Sequence, residues 1–156
     1  MRILCAIGIR RGRELVRQVS RITRAGDELV LLHVIDTGPR HDLDRLRGPL
    51  HPRHERHGEL DAAEEEAGKA TLKEALAEAG RCGLVAAERL ERGRPEQVIV
   101  SLAGELTAPL VVLHARESPE AHPRIGPPSV GHTARFVVDH SPTTVLLFRG
   151  SGLPEA

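Results

Sequence analysis

Two short apolar runs, at residues 3–9 and 29–35, restrict this chain's fold more than any other feature in it. Both are nearly continuous and rich in branched residues, the pattern of strands covered on two faces in a parallel sheet. Between them Leu15, Val16, Val19 and Ile22 recur at helical spacing, and Gly26 supplies a stop. The unit is a strand–helix–strand of about 30 residues, right-handed if the strands are parallel. The alternation then continues. A helix is expected over 59–79, ended by Gly80 and Gly83, and a weaker third strand over 84–90 at a sheet edge. Pro95 suits a first helical position, and behind it Val98, Ile99, Leu102, Ala103 and Leu106 mark one helix face. A fourth strand follows at 110–113, a short helix at 131–140 stopped before Pro142, and a fifth strand at 144–148. This order implies one α/β domain over residues 1–149, with a mainly parallel sheet and a frayed tail at 150–156. Two Pro-rich stretches, 37–58 and 115–130, break the pattern, and loops of such length are expected to be functional or mobile.

Composition removes several classes of function. A chain of 156 residues has room for one sizeable core, and with only Phe136 and Phe148 as aromatics that core must be aliphatic. Base-stacking nucleic-acid modules need exposed rings, so nucleic acid is not an expected partner. Acidic and basic residues cancel at 22 each, leaving no global field toward nucleic acid or anionic lipid. No apolar run approaches a membrane span, and the first residues return to charge too soon for a secretory leader. Cys5 and Cys82 show neither metal nor redox spacing. A reduced, cytoplasmic protein is the expectation.

Several segments in order resemble the universal stress protein family. RILCAI and LVLLHVID match its first two strands, and GRPEQVIVSLAGELTAPLVVLHAR its Gly-x-Pro, helix and fourth strand. GHTARFVVDHSPTTVLLFR matches its closing helix, His-x-Pro turn and last strand. The resemblance implies a doubly wound sheet of order 3-2-1-4-5 with helices on both faces, and a homodimer through the last strand. It also implies that ATP-binding members carry an Asp at the end of the first strand and Gly-x2-Gly-x9-Gly-Ser/Thr before the last helix. Here the Asp position is Gly8, the first two glycine positions fall on Ser118 and Ala121, and the hydroxyl position is His132. Of that signature Gly131 alone remains.

In an open α/β sheet the ligand crevice lies beyond the carboxyl ends of the strands, where the strand order reverses. That rule gathers Gly8, Ile9, Arg10 and Arg11, then Val34 and Ile35 beside Asp36, then His114, Ala115 and Arg116, and finally Gly131 and His132. Side-chain cations and a helix N-terminus there could take a small anion where relatives use a glycine nest. The plainer alternative is a solvated arginine rim, since 20 of the 22 basic residues are Arg. No cofactor is firmly expected; ATP or another adenine nucleotide belongs to a rival reading of an altered, Arg-rich crevice.

Other constellations carry less. Arg13, Arg17, Arg21 and Arg24 recur on one helix face and read as a solvent face, with acids between Glu59 and Glu66 as pairing candidates. His41, His51, His54 and His57 include metal-like spacing, but Pro52 breaks the helix and Arg53 and Arg56 would repel a cation, so no metal is expected. No nucleophile elbow exists, no catalytic residue is assigned, and Cys5 at a strand centre lacks thiolate-stabilising cations. Thr144, Val145, Leu146, Leu147 and Phe148 form an uncharged edge segment that invites pairing with a second copy. The expectation is a homodimeric binding or regulatory module in stress response, its nucleotide motif largely lost.

Overall fold

The computed structural model describes residues 1–38, 53–115 and 130–149, with the side chains of 53–58 left out. Its elements run β1 (Arg2–Ala6), α1 (Gly12–Ser20), β2 (Glu28–Asp36), α2 (Arg53–Arg81), β3 (Val85–Gly93), α3 (Pro95–Glu105), β4 (Leu110–His114), α4 (His132–His140) and β5 (Thr144–Phe148). They build a five-stranded sheet of order β3-β2-β1-β4-β5 in which every neighbouring pair is parallel. This is the order that the family resemblance implied.

Strand alternation divides the core into two layers. Ile3, Cys5 and Ile7 pack with Leu29, Leu31 and Val112 under α1 and α2, which contribute Leu15, Val16, Val19, Leu72, Ala75 and Ala79. On the other face Leu4 packs with Val30, Leu32, Val111 and Leu113 under Ile99, Leu102 and Ala103 of α3 and Ala134 and Val137 of α4. Both faces are therefore dry, which is why β1 and β2 read as apolar runs rather than as alternating strands.

Several boundaries differ from the sequence expectation. β1 stops at Ala6: Ile7 still donates its N–H to the Leu32 carbonyl, but Gly8 and Ile9 turn out into solvent. α1 ends at Ser20, so Ile22 is exposed instead of continuing the apolar face. α2 begins at Arg53, six residues earlier than expected, and β3 continues to Gly93 because the nine residues of β2 give it a full-length partner. At the end of α2, Leu84 N–H bonds the Ala79 carbonyl and Gly83 N–H bonds that of Gly80, with Gly83 at φ +72°. That is a glycine-terminated helix stop, and it turns the chain directly into β3.

Two arginines of the basic face of α1 meet acids of α2 that lie beyond the 59–66 stretch. Arg17 Nε lies 2.5 Å from the buried carboxylate of Glu78 on α2, and Arg13 lies 3.7 Å from Glu74. Glu65 instead meets Lys69 and Arg92. The hydrogen bond from Arg17 holds the Glu78 carboxyl below the usual carboxylate range.

A glycine inside α2 is explained by contact. A Cβ built on Gly68 would stand 2.8 Å from the imidazole Cδ2 of His33 and 3.0 Å from Leu90 Cδ1. His33 cannot yield easily, because it is buried and its Nδ1 donates to the Ile7 carbonyl at 2.9 Å. Gly68→Ala gains about 1 kcal/mol of helix propensity but incurs overpacking of about 1–3 kcal/mol. The variant should melt a few degrees below the parent in a calorimetric scan; an equal or higher melting temperature would show that His33 repacks freely.

Candidate functional site

The chain passes from β1 outward to β2 and β3 on one side and returns to β4 and β5 on the other, so the strand order reverses between β1 and β4. Beyond their carboxyl ends lie two cavities. One of about 430 Å³ is lined by Ala6, Leu32, Val34, Ile99 and Leu113 together with Gly8, Ile9, Arg10, Arg11 and Ala115. The other, of about 520 Å³, is lined by Asp36, Gly38, Arg94, Glu96, Val130, Gly131 and His132. His114 and Thr133 line both, so the two adjoin. The first presents mainly apolar side chains and the second mainly charged and polar ones.

Most of the residues singled out in the sequence meet here, but two do not. Ile35 is buried and lines neither cavity: alternation along β2 turns it to the face of Leu29 and Leu31, whereas Val34 shares the crevice face with Leu32. Arg116 lies outside the described residues, as do His41, His51 and Pro52 of the metal-spaced stretch. Among the described residues no group of three or more His, Cys, Asp or Glu side chains stands close enough to hold a metal ion.

Of the two arginines that line the first cavity, Arg11 is held by a neighbouring carboxylate. Arg11 grips Glu14 with two hydrogen bonds, Nε to Oε2 at 2.7 Å and Nη2 to Oε1 at 2.6 Å. The Arg11 hydrogen bond is the main reason that the Glu14 carboxyl sits below its ordinary range, with smaller contributions from the charges of His114 and Arg17. Gln18 continues the line, its Nε2 3.4 Å from Glu14 and its Oε1 2.9 Å from His114 Nε2. The ring of His114 also meets Phe148 of β5 edge to face, with centroids 6.5 Å apart.

The second cavity is entered by the N-terminus of α4. Gly131 takes φ +92° as the residue before the helix, a conformation that suits glycine, and the first helical bond is Arg135 N–H to the Gly131 carbonyl. Helix geometry leaves the N–H groups of the first turn without partners inside the helix, and they carry partial positive charge. Arg94 adds a cation, and Glu96 and Asp36 add carboxylates. His132 Nε2 lies 3.5 Å from Glu96 Oε1. Sequence reasoning missed Arg94, Glu96 and Thr133. The carboxyl-end rule, applied to β3 as well as to the inner strands, would have found the first two, because they directly follow Gly93.

A family profile described as the universal stress protein family matches residues 1–149. The chain belongs to the universal stress protein family. No curated protein matches it significantly by sequence. Solved structures share its fold at low identity. A universal stress protein from Archaeoglobus fulgidus is 20% identical with a TM-score of 0.68, covering 94% of this chain and 97% of its own. A structure of the Archaeoglobus fulgidus protein in complex with dAMP gives 20% identity and a TM-score of 0.65, covering 94% of this chain and 96% of its own. An Arabidopsis thaliana family protein with AMP bound is 15% identical with a TM-score of 0.60, covering 97% and 93%.

Within this family fold Gly8 is open. It is exposed, and no atom beyond its chain neighbours lies within 4 Å of a Cβ placed there. The Arg11–Glu14 pair at the same edge has a measurable signature. A carboxyl whose folded pKa is depressed contributes stability above its unfolded value, and that contribution is lost as pH falls through the folded value. Melting temperatures of the parent and Glu14→Gln should therefore differ most above about pH 5 and converge as the pH is lowered below the ordinary Glu range. Parallel curves down to pH 3 would show that the pair does not stabilise the fold.

Proposed function

We propose that this universal stress protein is a homodimeric binding module of the cytoplasm, without catalytic chemistry of its own. Its crevice takes an adenine-nucleotide-class anion weakly, by backbone and cation contacts. The observation that carries this reading is the adjoining pair of cavities at His114 and Thr133, one apolar and one entered by a helix N-terminus. Each volume falls in the usual range for small-ligand sites. A flat base suits the apolar lining of Leu32, Val34, Ile99 and Leu113, and a phosphate suits the first-turn N–H groups of α4 with Arg94 nearby. Binding of dAMP and AMP by the two relatives named above supports the ligand class. Weakness follows from Gly8, which offers no carboxylate to the nucleoside, and from His132 in place of the hydroxyl that follows Gly131 in nucleotide-binding relatives. Thr133, one residue further on and lining both cavities, is the nearest hydroxyl to take that role. The free thiols of Cys5 and Cys82 accord with a reducing compartment.

A thermal-shift series with AMP, ADP, ATP and inorganic phosphate tests the crevice. Ligand at about a hundred times its Kd adds about 2.7 kcal/mol, a shift of several degrees for a domain this size. The parent should respond only at millimolar nucleotide, and Gly8→Asp, for which the site has room, should tighten nucleoside binding at least five-fold. No response to any nucleotide by either protein would overturn the nucleotide reading and leave a module that acts through its protein surface alone.

Dimerisation is proposed through β5. The Phe148 carbonyl accepts from Ala115 N–H, so by alternation the N–H and C=O groups of Val145 and Leu147 face the open edge. That edge carries no charge from Thr144 to Phe148, whereas the opposite edge, β3, holds Glu88, Arg89, Glu91 and Arg92. Charged edges resist strand pairing and apolar ones invite it. Light scattering should give about 34 kDa, twice the 17.0 kDa chain. Leu147→Pro deletes an outward donor while sparing the β4 ladder and should shift the protein toward monomer. A parent of about 17 kDa at micromolar concentration would refute the interface.

A further inference from the structure

We infer that Glu96 is a specificity-determining residue that makes the crevice discriminate by phosphate number, favouring a single phosphate over a polyphosphate. The inference rests on the nucleotide-class reading of the crevice and deepens it. Glu96 stands in the first turn of α3, directly after Pro95, where a carboxylate is favoured by the helix dipole. Its side chain is 13% exposed, lines the cavity that the α4 N-terminus enters, and reaches within 3.5 Å of His132 on the first turn of α4. An endogenous carboxylate thus already lines the cavity that the helix N-terminus enters, in contact with the His132 ring. Asp36 lines the same cavity, its Oδ1 accepting from Gly38 N–H at 2.7 Å.

Counting charge on that lining decides the selectivity. Asp36 and Glu96 bring two negative charges, and Arg94 is the only fixed cation among the described lining residues. One phosphate can sit against Arg94 and the helix N-terminus, the two positive features of a lining whose fixed charges sum to −1. Each further phosphate brings more negative charge into a space that already holds two carboxylates, and among the described residues of that cavity it meets no second fixed cation. Like charges a few ångströms apart in a partly desolvated site repel strongly enough to reorder affinities. The apolar cavity is untouched by this conflict, so the nucleoside contributes equally to AMP and ATP. The carboxylate therefore acts on the phosphate tail alone.

The test is titration calorimetry of adenosine, AMP and ATP against the parent and Glu96→Gln, in EDTA so that no divalent cation masks charge. Gln keeps the shape and the acceptor oxygen while removing the charge. The parent should bind AMP at least five-fold more tightly than ATP, about 1 kcal/mol. Glu96→Gln should narrow or invert that ratio by strengthening ATP, leaving adenosine within two-fold. Nucleotide binding with an AMP-to-ATP ratio that Glu96→Gln leaves unchanged, or that it widens by weakening ATP, overturns the role of Glu96 and leaves the crevice reading standing. Absence of binding by all three ligands to both proteins, while calorimetric unfolding confirms that each is folded, overturns both.

Discussion

Everything in this fold depends on the double burial of β1. The strand has β2 hydrogen-bonded on one edge and β4 on the other, α1 and α2 over one face, and α3 and α4 over the opposite face. Its side chains Ile3, Leu4 and Cys5 have no exposed surface. Such a strand can leave the sheet only at its ends. At the carboxyl end the chain must turn to one face to form α1, while the returning segment after β4 must go on to form α4. The two connections leave β1 and β4 toward opposite faces, so a crevice at their carboxyl ends is a consequence of the winding itself. Burial also neutralises what might otherwise be reactive: the Cys5 thiol is pushed up to about 12 by desolvation, which keeps it a packing residue.

The fold was legible because its decisive signals are local in sequence. Continuous apolar runs announced β1 and β2, helical spacing announced the face of α1, and Pro95 announced the start of α3. What could not be read were ends and partners. Gly58 and the Pro-rich stretch before it masked the early start of α2, although a helix tolerates glycine when the remaining turns are strong formers. Gly68, to which the sequence pattern attached no role, is a place where α2 approaches His33 closely. The length of β3 was set by β2, not by its own weakly apolar sequence, since a strand persists while its neighbour offers hydrogen bonds. The pairing of Arg17 with Glu78 spans 61 residues and depends on how α1 and α2 lie together, which no spacing rule encodes.

The site was legible to the extent that topology dictates it. Gly8 through Arg11, His114, Ala115, Gly131 and His132 were placed by the reversal of strand order alone, and all of them line the crevice. Val34 and Ile35 were named together, and of two neighbours in a strand only one can face the crevice, here Val34. Arg11 illustrates a second limit. A cation at a crevice reads as an anion receptor until its neighbour on the next helical turn is considered, and here Glu14 at i+3 already takes both ends of the guanidinium. Arginine count therefore overstates the positive charge on offer. Arg94, the cation that sequence reasoning passed over, directly follows the edge strand β3 as the residue before α3 and shares its cavity with Asp36 and Glu96.

Those facts bear on the kind of receptor proposed for the crevice. A glycine nest binds phosphate by presenting many backbone donors and no side chains, so its attraction grows with the charge of the ligand. This chain keeps one glycine of the nest, Gly131, and surrounds it with side chains of both signs. His114 belongs to this mixed lining and also contacts Phe148, so the wall of the crevice and the edge strand share one packed contact. Moving the His114 ring to admit a ligand must disturb either its hydrogen bond to Gln18 or its contact with Phe148. Both contacts stiffen the wall, and a stiff wall favours ligands that fit the cavities as they stand. In the function proposed above, selectivity would come from shape in one cavity and from the balance of opposing charges in the other.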